Sequence, residues 1–528
     1  MPFDAIVVGS GFGGAVAALR LAEAGMRVLV LERGRRWARD TLPRRPDDPW
    51  LWSHAHPERE NGWLDLRRFP NMAVAQGAGV GGGSHIYANI STEAPRAAFA
   101  SGWPAAITYD ALKPFYDTVA EVMEVQPVPA GQWTRRMELM RDAAQAAGYS
   151  ERFRQVDLAV QFDADWTYDK DYLSGEAATK WGTNKHGATQ GTCVHLGTCD
   201  VGCRVSARNT LDLNYLYLAE NRHGVEVRPL HLVDRIEPLG ASWRVQFDRL
   251  ENGQRVPGAE ESALVVLAAG SLGSTELLLR NRDVHRTLPA LSPILGQNWS
   301  SNGDFLTPAL YENREVDASA GPTIASIIDF EDGSIGGHRF WIQDGGVPDL
   351  LLAWLARKAA DPATSFPAKL LIERMQAFLS RREPLRGLMP WFAQGVDAGN
   401  GRLSLTGPGL FTPGGELHLA WDVSQSAPLI ETIIAMHKTL AAKTGGVAVV
   451  PPTWTLFREL VTPHPLGGCN MGEDAATGVV DHGGAVFGYR NLFVLDGAIV
   501  PRALGVNPSR TIAALAERNA RQIASGPG

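Results

Sequence analysis

The chain has 528 residues, 45% of them hydrophobic and 20% charged, which is the composition of a globular protein with two or more domains. Its formal net charge of -7 offers no basic field, so we expect no nucleic-acid partner. No uninterrupted apolar run reaches the ~18 residues of a membrane span. No leader precedes the first apolar segment, so we expect a cytoplasmic protein.

The first 34 residues predict a strand, a helix and a second strand in direct succession. Residues 5–8 and 28–31 are apolar runs typical of buried parallel strands, and apolar side chains recur at helical spacing between them. The first turn has G-x-G-x-x-G spacing at Gly9, Gly11 and Gly14. Glu32 ends the second strand, where a carboxylate binds the ribose of a dinucleotide. An acid at this position favours NAD or FAD over NADP.

A second glycine-rich segment covers residues 76–90 and has apolar residues on both sides. Because so many of its positions lack a side chain, its backbone can pass close to a flat ring or a phosphate. A flexible linker is the alternative, and the flanking apolar residues argue against it. Residues 264–267 predict another buried strand that leads into a glycine-containing turn and a helix. Residues 205–300 are therefore expected to return to the domain that begins at the N-terminus.

Other elements are predicted from periodicity and turn residues. Helices are expected within residues 109–147, at 210–220 and from Thr511 onward, and strands at 225–228, 232–236, 243–247, 402–405 and 416–420. Residues 349–392 contain apolar segments that predict two or three helices. These helices form either a membrane-facing lid or a packed layer inside the protein or between subunits.

Three of the four cysteines, Cys193, Cys199 and Cys203, lie within eleven positions of one another. In a cytosolic chain, such a cluster indicates metal or redox chemistry before disulfides. Three reduced structural cysteines are the alternative. Zinc is disfavoured because no fourth ligand is evident.

Five stretches together resemble the glucose–methanol–choline (GMC) family of flavoprotein oxidoreductases and, within it, the bacterial cholesterol oxidase branch. They are the N-terminal fingerprint, GVGGGS at 79–84, VVLAAGSLGSTELLL at 265–279, HPLGG at 464–468 and DGAIVPRALGVNPSRTIAALAER at 496–518. They follow the order of that family, and only residues 310–450 lack a sharp match.

The resemblance implies an α/β fold, α+β overall. A Rossmann-like FAD-binding domain is expected beside a discontinuous substrate domain that is built on an antiparallel sheet. We assign to the FAD-binding domain residues 1–37, 71–95, 205–310 and 455–528. We assign to the substrate-binding domain residues 38–70, 96–204 and 311–454.

The resemblance also implies FAD as the cofactor. Non-covalent FAD is expected, because His85 lies next to, not at, the position of the histidine that carries covalent FAD in some family members. The residues that the resemblance places at the cofactor are Gly9, Ser10, Gly11, Phe12, Gly13, Gly14, Glu32, Arg33, Gly79, Gly82, Gly83, Ser84, Asn89, Val233, Ala269, Gly270, Asp496, Gly497, Asn507 and Pro508. The spacing of Cys193, Cys199 and Cys203 is similar to the iron–sulfur segment of GMC-type sugar dehydrogenase subunits, which makes these residues candidate iron–sulfur ligands.

His464 and Asn507 are the candidate catalytic residues. His464 matches the family histidine that hydrogen-bonds the substrate oxygen, and a neutral imidazole can accept a hydroxyl proton near pH 7. Asn507 supplies an amide for the substrate oxygen or the flavin. The glutamate that cholesterol oxidases of this branch carry over the substrate is replaced by Gln343, with Asp344 beside it. Either Asp344 substitutes as a base or His464 works alone.

We therefore expect an FAD-dependent alcohol oxidase or dehydrogenase. It would oxidise the CH–OH group of an apolar, steroid-like alcohol by hydride transfer to flavin N5. One alternative is a sugar or polyol dehydrogenase that passes electrons through an iron–sulfur cluster, and another is a non-catalytic flavin-binding module. The expected partners are the alcohol, oxygen or an electron-acceptor protein, and a membrane surface that is contacted peripherally.

Overall fold

The computed structural model describes residues 2–349, 386–407 and 415–526, together with residues 353 and 357. The strands in these ranges are β1 Ala5–Val8, β2 Val28–Leu31, β3 Leu64–Phe69, β4 Met72–Gly77, β5 Phe153–Gln155, β6 Trp181–Thr183, β7 Thr189–Gly191, β8 Glu226–Arg228, β9 His231–Leu239, β10 Ser242–Glu251, β11 Gln254–Ser262, β12 Leu264–Leu267, β13 Phe305–Leu310, β14 Ser326–Ile335, β15 His338–Asp344, β16 Leu388–Gly395, β17 Arg402–Leu405, β18 Leu417–Ala420, β19 Val447–Ala448, β20 Leu460–Thr462 and β21 Leu492–Val494. The α-helices there are α1 Phe12–Glu23, α2 Tyr109–Val122, α3 Arg135–Ala146, α4 Tyr168–Asp171, α5 Tyr215–His223, α6 Gly270–Asp283, α7 Ala427–Lys443, α8 Pro452–Phe457 and α9 Ser509–Ala524. None of the helices in these ranges combines the length and apolarity that crossing a membrane requires.

A five-stranded parallel sheet forms the first layer, in the order β21-β12-β1-β2-β8. Every residue of β1, β2 and β12 is buried, because a parallel sheet is covered on both faces. Helix α1 follows β1 directly and packs against α5 and α9. These three strands have the bounds that the sequence predicts, and the Rossmann-like α/β class is confirmed.

An antiparallel sheet of β9, β10 and β11 is inserted between β8 and β12. Its strands are longer than the sequence predicts, because polar residues occupy the half-exposed positions and interrupt the apolar pattern. Helix α5 begins at Tyr215, five residues later than predicted. The side chain of Asn214 accepts a hydrogen bond from the Tyr215 backbone N–H and so sets the start of this helix.

A second, six-stranded antiparallel sheet has the order β19-β13-β16-β15-β14-β5. Helices α3 and α7 pack against it. Strand β13 lies in this sheet, although the sequence assigns residues 205–310 to the FAD-binding part.

The structure also differs from the prediction within residues 349–392. Residues 388–392 are predicted as helix but belong to β16, because a short run that is buried on both faces has the same apolar pattern in either element. Most of the helices predicted there fall on residues 350–385, which lie outside the described residues apart from 353 and 357.

A small three-stranded sheet brings two motifs together. Strand β20 pairs in parallel with β4, which pairs in antiparallel with β3. Strand β4 ends at Gly77, where the second glycine-rich segment begins, and β20 ends two residues before His464. Because the two strands are parallel, the glycine-rich segment and the loop with His464 leave the same end of this sheet.

Candidate active site

The turn between β1 and α1 leaves open space at the start of the helix. A Cβ on Gly14 would lie 2.0 Å from the carbonyl oxygen of Gly9, and one on Gly13 would lie 1.6 Å from that of Leu495. Both positions therefore need glycine for packing. A Cβ on Gly11 would meet only the Cα of Gly82, at 3.9 Å. The space beside Gly11 lies at the N-terminus of α1, where the phosphates of a dinucleotide bind.

Glu32 connects the turn to the second glycine-rich segment through Ser10. The buried Glu32 carboxylate accepts hydrogen bonds from the Ser10 backbone N–H at 3.0 Å, the Ser10 hydroxyl at 2.7 Å and the Gly34 N–H at 2.9 Å. The Ser10 hydroxyl accepts a hydrogen bond from the Gly81 N–H at 3.0 Å. A carboxylate has about four lone-pair positions, and these hydrogen bonds to Glu32 occupy three of them. The fourth can accept a hydrogen bond from a ribose hydroxyl.

The second glycine-rich segment runs beside this turn and contains an unpartnered amide. A Cβ on Gly82 would lie 2.7 Å from the Cα of Gly11, and a Cβ on Gly83 would meet no atom within 4 Å. Asn89 is fully buried, has a φ of 64°, and neither amide atom of its side chain has a partner. Buried amides are normally hydrogen-bonded, so Asn89 offers a donor and an acceptor to a ligand. His85 instead contacts the carbonyl oxygen of Val80 through Nε2 at 2.6 Å, and burial lowers the His85 pKa.

The third predicted segment meets the C-terminal one at Asp496. The Asp496 carboxylate accepts hydrogen bonds from the Gly270 N–H at 2.9 Å, the Ser274 hydroxyl at 2.5 Å and the Ala498 N–H at 2.8 Å. Burial raises the pKa of Asp496 to about 6. The predicted residues Ala269, Gly270, Asp496 and Gly497 thus lie together at the start of α6.

The structure places the other predicted cofactor residues as follows. Phe12 packs edge-on against Tyr87 of the glycine-rich segment, with ring centroids 5.5 Å apart. Val233 lies in β9, and Pro508 immediately precedes α9. Arg33 points its guanidinium to Asp65, at 2.8 Å, so its charge is engaged by that carboxylate. The open space at Gly11 and Gly83, the free Glu32 position and the unpartnered Asn89 fit a bound FAD.

His464 lies in a buried network of polar side chains. Its Nδ1 is 2.9 Å from both carboxylate oxygens of Asp304, whose side chain is fully buried. Its Nε2 is 3.4 Å from the Asn507 amide nitrogen and 3.3 Å from that of Gln394. The Gln394 nitrogen is also 2.8 Å from Nδ1.

The indole of Trp341 fixes the orientation of the amides in this network. An indole N–H can only donate, and that of Trp341 donates to Gln394 Oε1 at 3.0 Å. The Gln343 amide nitrogen donates to the same oxygen at 3.1 Å and to Asn507 Oδ1 at 2.8 Å. The Asn507 nitrogen is consequently the atom that faces His464. The sequence-predicted pair, His464 and Asn507, is therefore brought together in the structure.

The loop before Asn507 is held by Asn302. The Asn302 side chain accepts hydrogen bonds from the N–H groups of Leu504 and Gly505, at 2.9 and 3.0 Å, and donates to the Val506 carbonyl at 2.8 Å. Asn302 thus fixes the three residues that precede the candidate catalytic amide.

Asp344 does not join the network around His464. Neighbouring residues of a strand face opposite sides of the sheet, and Gln343 takes the side of Asn507. Asp344 Oδ1 accepts hydrogen bonds from the N–H groups of Ala325 and Ser326, at 2.9 and 2.6 Å. Burial raises the pKa of Asp344 to about 6. The imidazole of His464, and not the carboxylate of Asp344, therefore lies beside Asn507.

Sequence reasoning missed Asp304 and Gln394. Asp304 is 160 residues from His464 and Gln394 is 70 residues from it, and neither lies in a motif. A carboxylate in the otherwise apolar stretch at 304–310 was the only available signal for Asp304. That signal does not indicate that Asp304 contacts His464.

The structure does not support the predicted iron–sulfur cluster at Cys193, Cys199 and Cys203. They line a cavity of about 20 Å³, which has room for about one water molecule. Among the described residues, no three Cys, His, Asp or Glu side chains form a group that could hold a metal ion. Burial raises the thiol pKa of Cys193 and of Cys199, so both are protonated thiols in the structure as described.

The cysteine loop lies against the second glycine-rich segment. Arg208 donates hydrogen bonds to the carbonyl oxygens of His85, Tyr87 and Cys199. The structure thus supports the alternative of three reduced structural cysteines, which form part of the wall beside this segment.

Comparison with known proteins agrees with the fold. A family model described as GMC oxidoreductase matches residues 413–516, and one described as NAD(P)-binding Rossmann-like domain matches residues 7–47. The chain is 30% identical to a cholesterol oxidase of Acinetobacter baumannii, over 98% of this chain and 93% of that protein. It is 32% identical to a cholesterol oxidase of Mycobacterium tuberculosis (strain ATCC 25618 / H37Rv), over 98% and 90%. The crystal structure of pyridoxine 4-oxidase from Mesorbium loti has a similar fold, with a TM-score of 0.64 and 17% identity over 99% and 100% of the two chains.

The parallel sheet with its dinucleotide turn, together with a partly buried histidine in a polar network, indicates a nucleotide-dependent oxidoreductase. The chain belongs to the GMC oxidoreductase family, since its similarity to the cholesterol oxidases extends over nearly its whole length. It is an FAD-dependent oxidoreductase that acts on alcohols.

Proposed function

We propose that this protein oxidises the CH–OH group of an apolar, steroid-like alcohol and that His464 and Asn507 are its catalytic residues. When bound, FAD accepts at its N5 atom the hydride that leaves the alcohol carbon. The observation that carries the proposal is the 3.4 Å approach of Asn507 Nδ2 to His464 Nε2, inside a network that fixes both side chains.

His464 and Asn507 have separate tasks in this proposal. His464 accepts the hydroxyl proton at Nε2, and the electron pair of the broken O–H bond stays on the oxygen. The Asn507 N–H donates a hydrogen bond to the same oxygen and stabilises the negative charge that develops there. The alcohol carbon is thereby positioned with its hydrogen toward the cofactor.

An aromatic ring near His464 supports an apolar substrate. The Phe392 ring lies 6.5 Å from the imidazole of His464, centroid to centroid. The side chain of Phe392 projects from the six-stranded sheet, which we propose as the base of the substrate domain, while the parallel sheet carries the cofactor. The two similar cholesterol oxidases also support a sterol-like alcohol.

Oxygen is the electron acceptor in this proposal. The names of the similar oxidases support it. The alternative route through a cysteine-bound cluster receives no support from the cavity around Cys193, Cys199 and Cys203.

The proposal is tested by anaerobic mixing of the holoenzyme with sterols, long-chain alcohols and sugars, followed by admission of oxygen. We expect sterols or long-chain alcohols to bleach the flavin absorption and oxygen to restore it. Bleaching by sugars alone would contradict the apolar substrate. Reduced flavin that stays bleached in oxygen would contradict the oxidase assignment.

His464→Ala should slow flavin reduction by ~10²–10⁴-fold, which is the usual contribution of a positioned proton-transfer group. FAD content should stay unchanged, because His464 is not among the residues that form the cofactor turn. The matched control is His223→Ala, which removes an exposed histidine at the end of α5. Equal reduction rates in the two variants would remove His464 from the mechanism.

A further inference from the structure

Asp304 forms the closest charged contact of the candidate base. Both of its carboxylate oxygens are 2.9 Å from Nδ1 of His464, and its side chain is fully buried. The Thr462 hydroxyl lies 2.5 Å from Asp304 Oδ2 and accepts a hydrogen bond from the His464 backbone N–H at 2.9 Å. Asp304 and Thr462 therefore hold the imidazole and its backbone at the same time.

The two ring nitrogens of His464 have different neighbours. Nδ1 lies 2.9 Å from both oxygens of the Asp304 carboxylate, which can only accept hydrogen bonds, and 2.8 Å from the Gln394 amide nitrogen, which is a neutral donor. Nε2 faces the amide nitrogens of Gln394 and Asn507, at 3.3 and 3.4 Å, and both of these are donors because Trp341 fixes the amide orientation. A hydrogen bond to a charged acceptor is stronger than one between neutral groups. The proton of the neutral ring therefore lies on Nδ1, and the lone pair lies on Nε2.

Other groups that face His464 come from several elements. Gln394 on β16 and Asn507 before α9 are uncharged amides, and Gln343 on β15 is a third amide that contacts both of them. Asp200, from the cysteine loop, interacts electrostatically with His464. Burial raises the pKa of Asp200 to about 7, and Arg208 and Arg136 oppose that rise.

We propose that Asp304 is a positioning residue that fixes His464 in the Nδ1–H form and thereby presents Nε2 as the proton acceptor. When the hydroxyl proton arrives at Nε2, Asp304 is placed to stabilise the imidazolium. The stabilisation of the imidazolium rests on the proposed function, whereas the position of the proton on the neutral ring does not.

The variant Asp304→Asn tests this inference. It keeps the shape of the side chain, removes the charge, and adds an N–H that can donate to Nδ1, which favours the opposite form of the ring. We expect flavin reduction to slow by roughly 10²-fold or more, while FAD content and the melting temperature stay close to the parent values. The acid limb of the rate profile should move to lower pH by about one pH unit, because the protonated ring has lost its counter-charge.

A second readout does not depend on turnover. Diethyl pyrocarbonate acylates unprotonated imidazole, and peptide mass spectrometry follows His464 alone; the His464 side chain is 15% exposed. The pH midpoint of its acylation should fall by about the same amount in Asp304→Asn as the acid limb of the rate profile. If His464→Ala leaves the flavin reduction rate unchanged, the proposed function fails, yet the acylation midpoint still tests the role of Asp304.

The matched control is Asp200→Asn, which removes a second carboxyl that interacts with His464. We expect it to leave the rate plateau unchanged and to move both midpoints less than Asp304→Asn does. Unchanged midpoints in Asp304→Asn, or equal shifts in the two variants, would overturn the inference. If Asp304→Asn does not retain FAD, Asp304→Ser removes the same charge with a smaller side chain and is expected to shift the acylation midpoint in the same direction.

Discussion

At the scale of single residues, glycines at the dinucleotide turn have different tasks. Gly13 and Gly14 face carbonyl oxygens at distances that no Cβ tolerates, so they allow the chain to pack. Gly11 faces open space. The sequence motif treats these positions alike, and only the structure separates the packing glycines from the one that faces the ligand space.

Gly11→Val should fold normally and fail to retain FAD, because its side chain would fill the space where a pyrophosphate approaches. Absorbance of the flavin per mole of purified protein measures retention, and circular dichroism measures folding. Gly14→Val is the contrasting variant, since its side chain would collide with the Gly9 carbonyl oxygen and prevent folding. A fully yellow Gly11→Val protein would show that the cofactor does not approach this turn.

At the scale of elements, α8 and β20 carry exposed apolar side chains at positions shortly before His464 in the sequence. Leu456 is 65% exposed, Phe457 61% and Val461 59%. Apolar residues grouped in this way mark interaction surfaces in many proteins. On this basis we propose that the protein contacts a lipid surface peripherally, as the sequence predicts, when it collects its substrate.

The double variant Leu456→Ser/Phe457→Ser should bind lipid vesicles at least tenfold more weakly, since each such side chain contributes about 1.5–3 kcal/mol when it leaves water. Cosedimentation with phosphatidylcholine vesicles measures the binding. Turnover of a short, water-soluble alcohol should not change. Leu173→Ser removes a side chain that is 97% exposed elsewhere, and equal binding by the two variants would contradict the contact.

At the scale of the whole molecule, a partly buried ion network joins the small sheet to helix α6, which follows strand β12 of the parallel sheet. Arg67 on β3 and Arg280 on α6 both contact the Glu276 carboxylate. Burial would raise the pKa of Glu276, but these two guanidinium groups outweigh it and lower the pKa from 4.5 to about 2. The network thus stabilises the fold only while Glu276 is ionised.

Because the folded-state pKa is depressed, this stabilisation is complete above about pH 4.5 and is lost as the pH falls toward about 2. It amounts to on the order of 3 kcal/mol at neutral pH. Glu276→Gln should therefore unfold in less urea than the parent at about pH 7, and the gap should narrow by more than half at about pH 3. The exposed Glu312→Gln is the control. A gap that does not depend on pH would contradict the role of the Glu276 charge.

The sequence by itself determined the parts of this protein that depend on neighbouring residues. The bounds of β1, β2, β12 and β17 follow from short apolar or alternating runs, and the glycine turn with Glu32 follows from spacing within one β-α-β unit. The pairing of His464 with Asn507 came from matching motifs of a known family, and the structure brings both side chains into one network.

Only the tertiary structure decided which distant residues meet. Strand β13 pairs with β16, about 80 positions away, and no local pattern encodes that pairing. Asp304 reaches His464 across 160 positions, and Gln343 turns toward Asn507 while Asp344 turns away. The cysteines stay close in space as their spacing predicts, and the cavity that they line measures about 20 Å³. Local composition does not specify these long-range contacts. The tertiary fold sets them, and with them the distances, the burial and the charged neighbours of the side chains at the candidate active site.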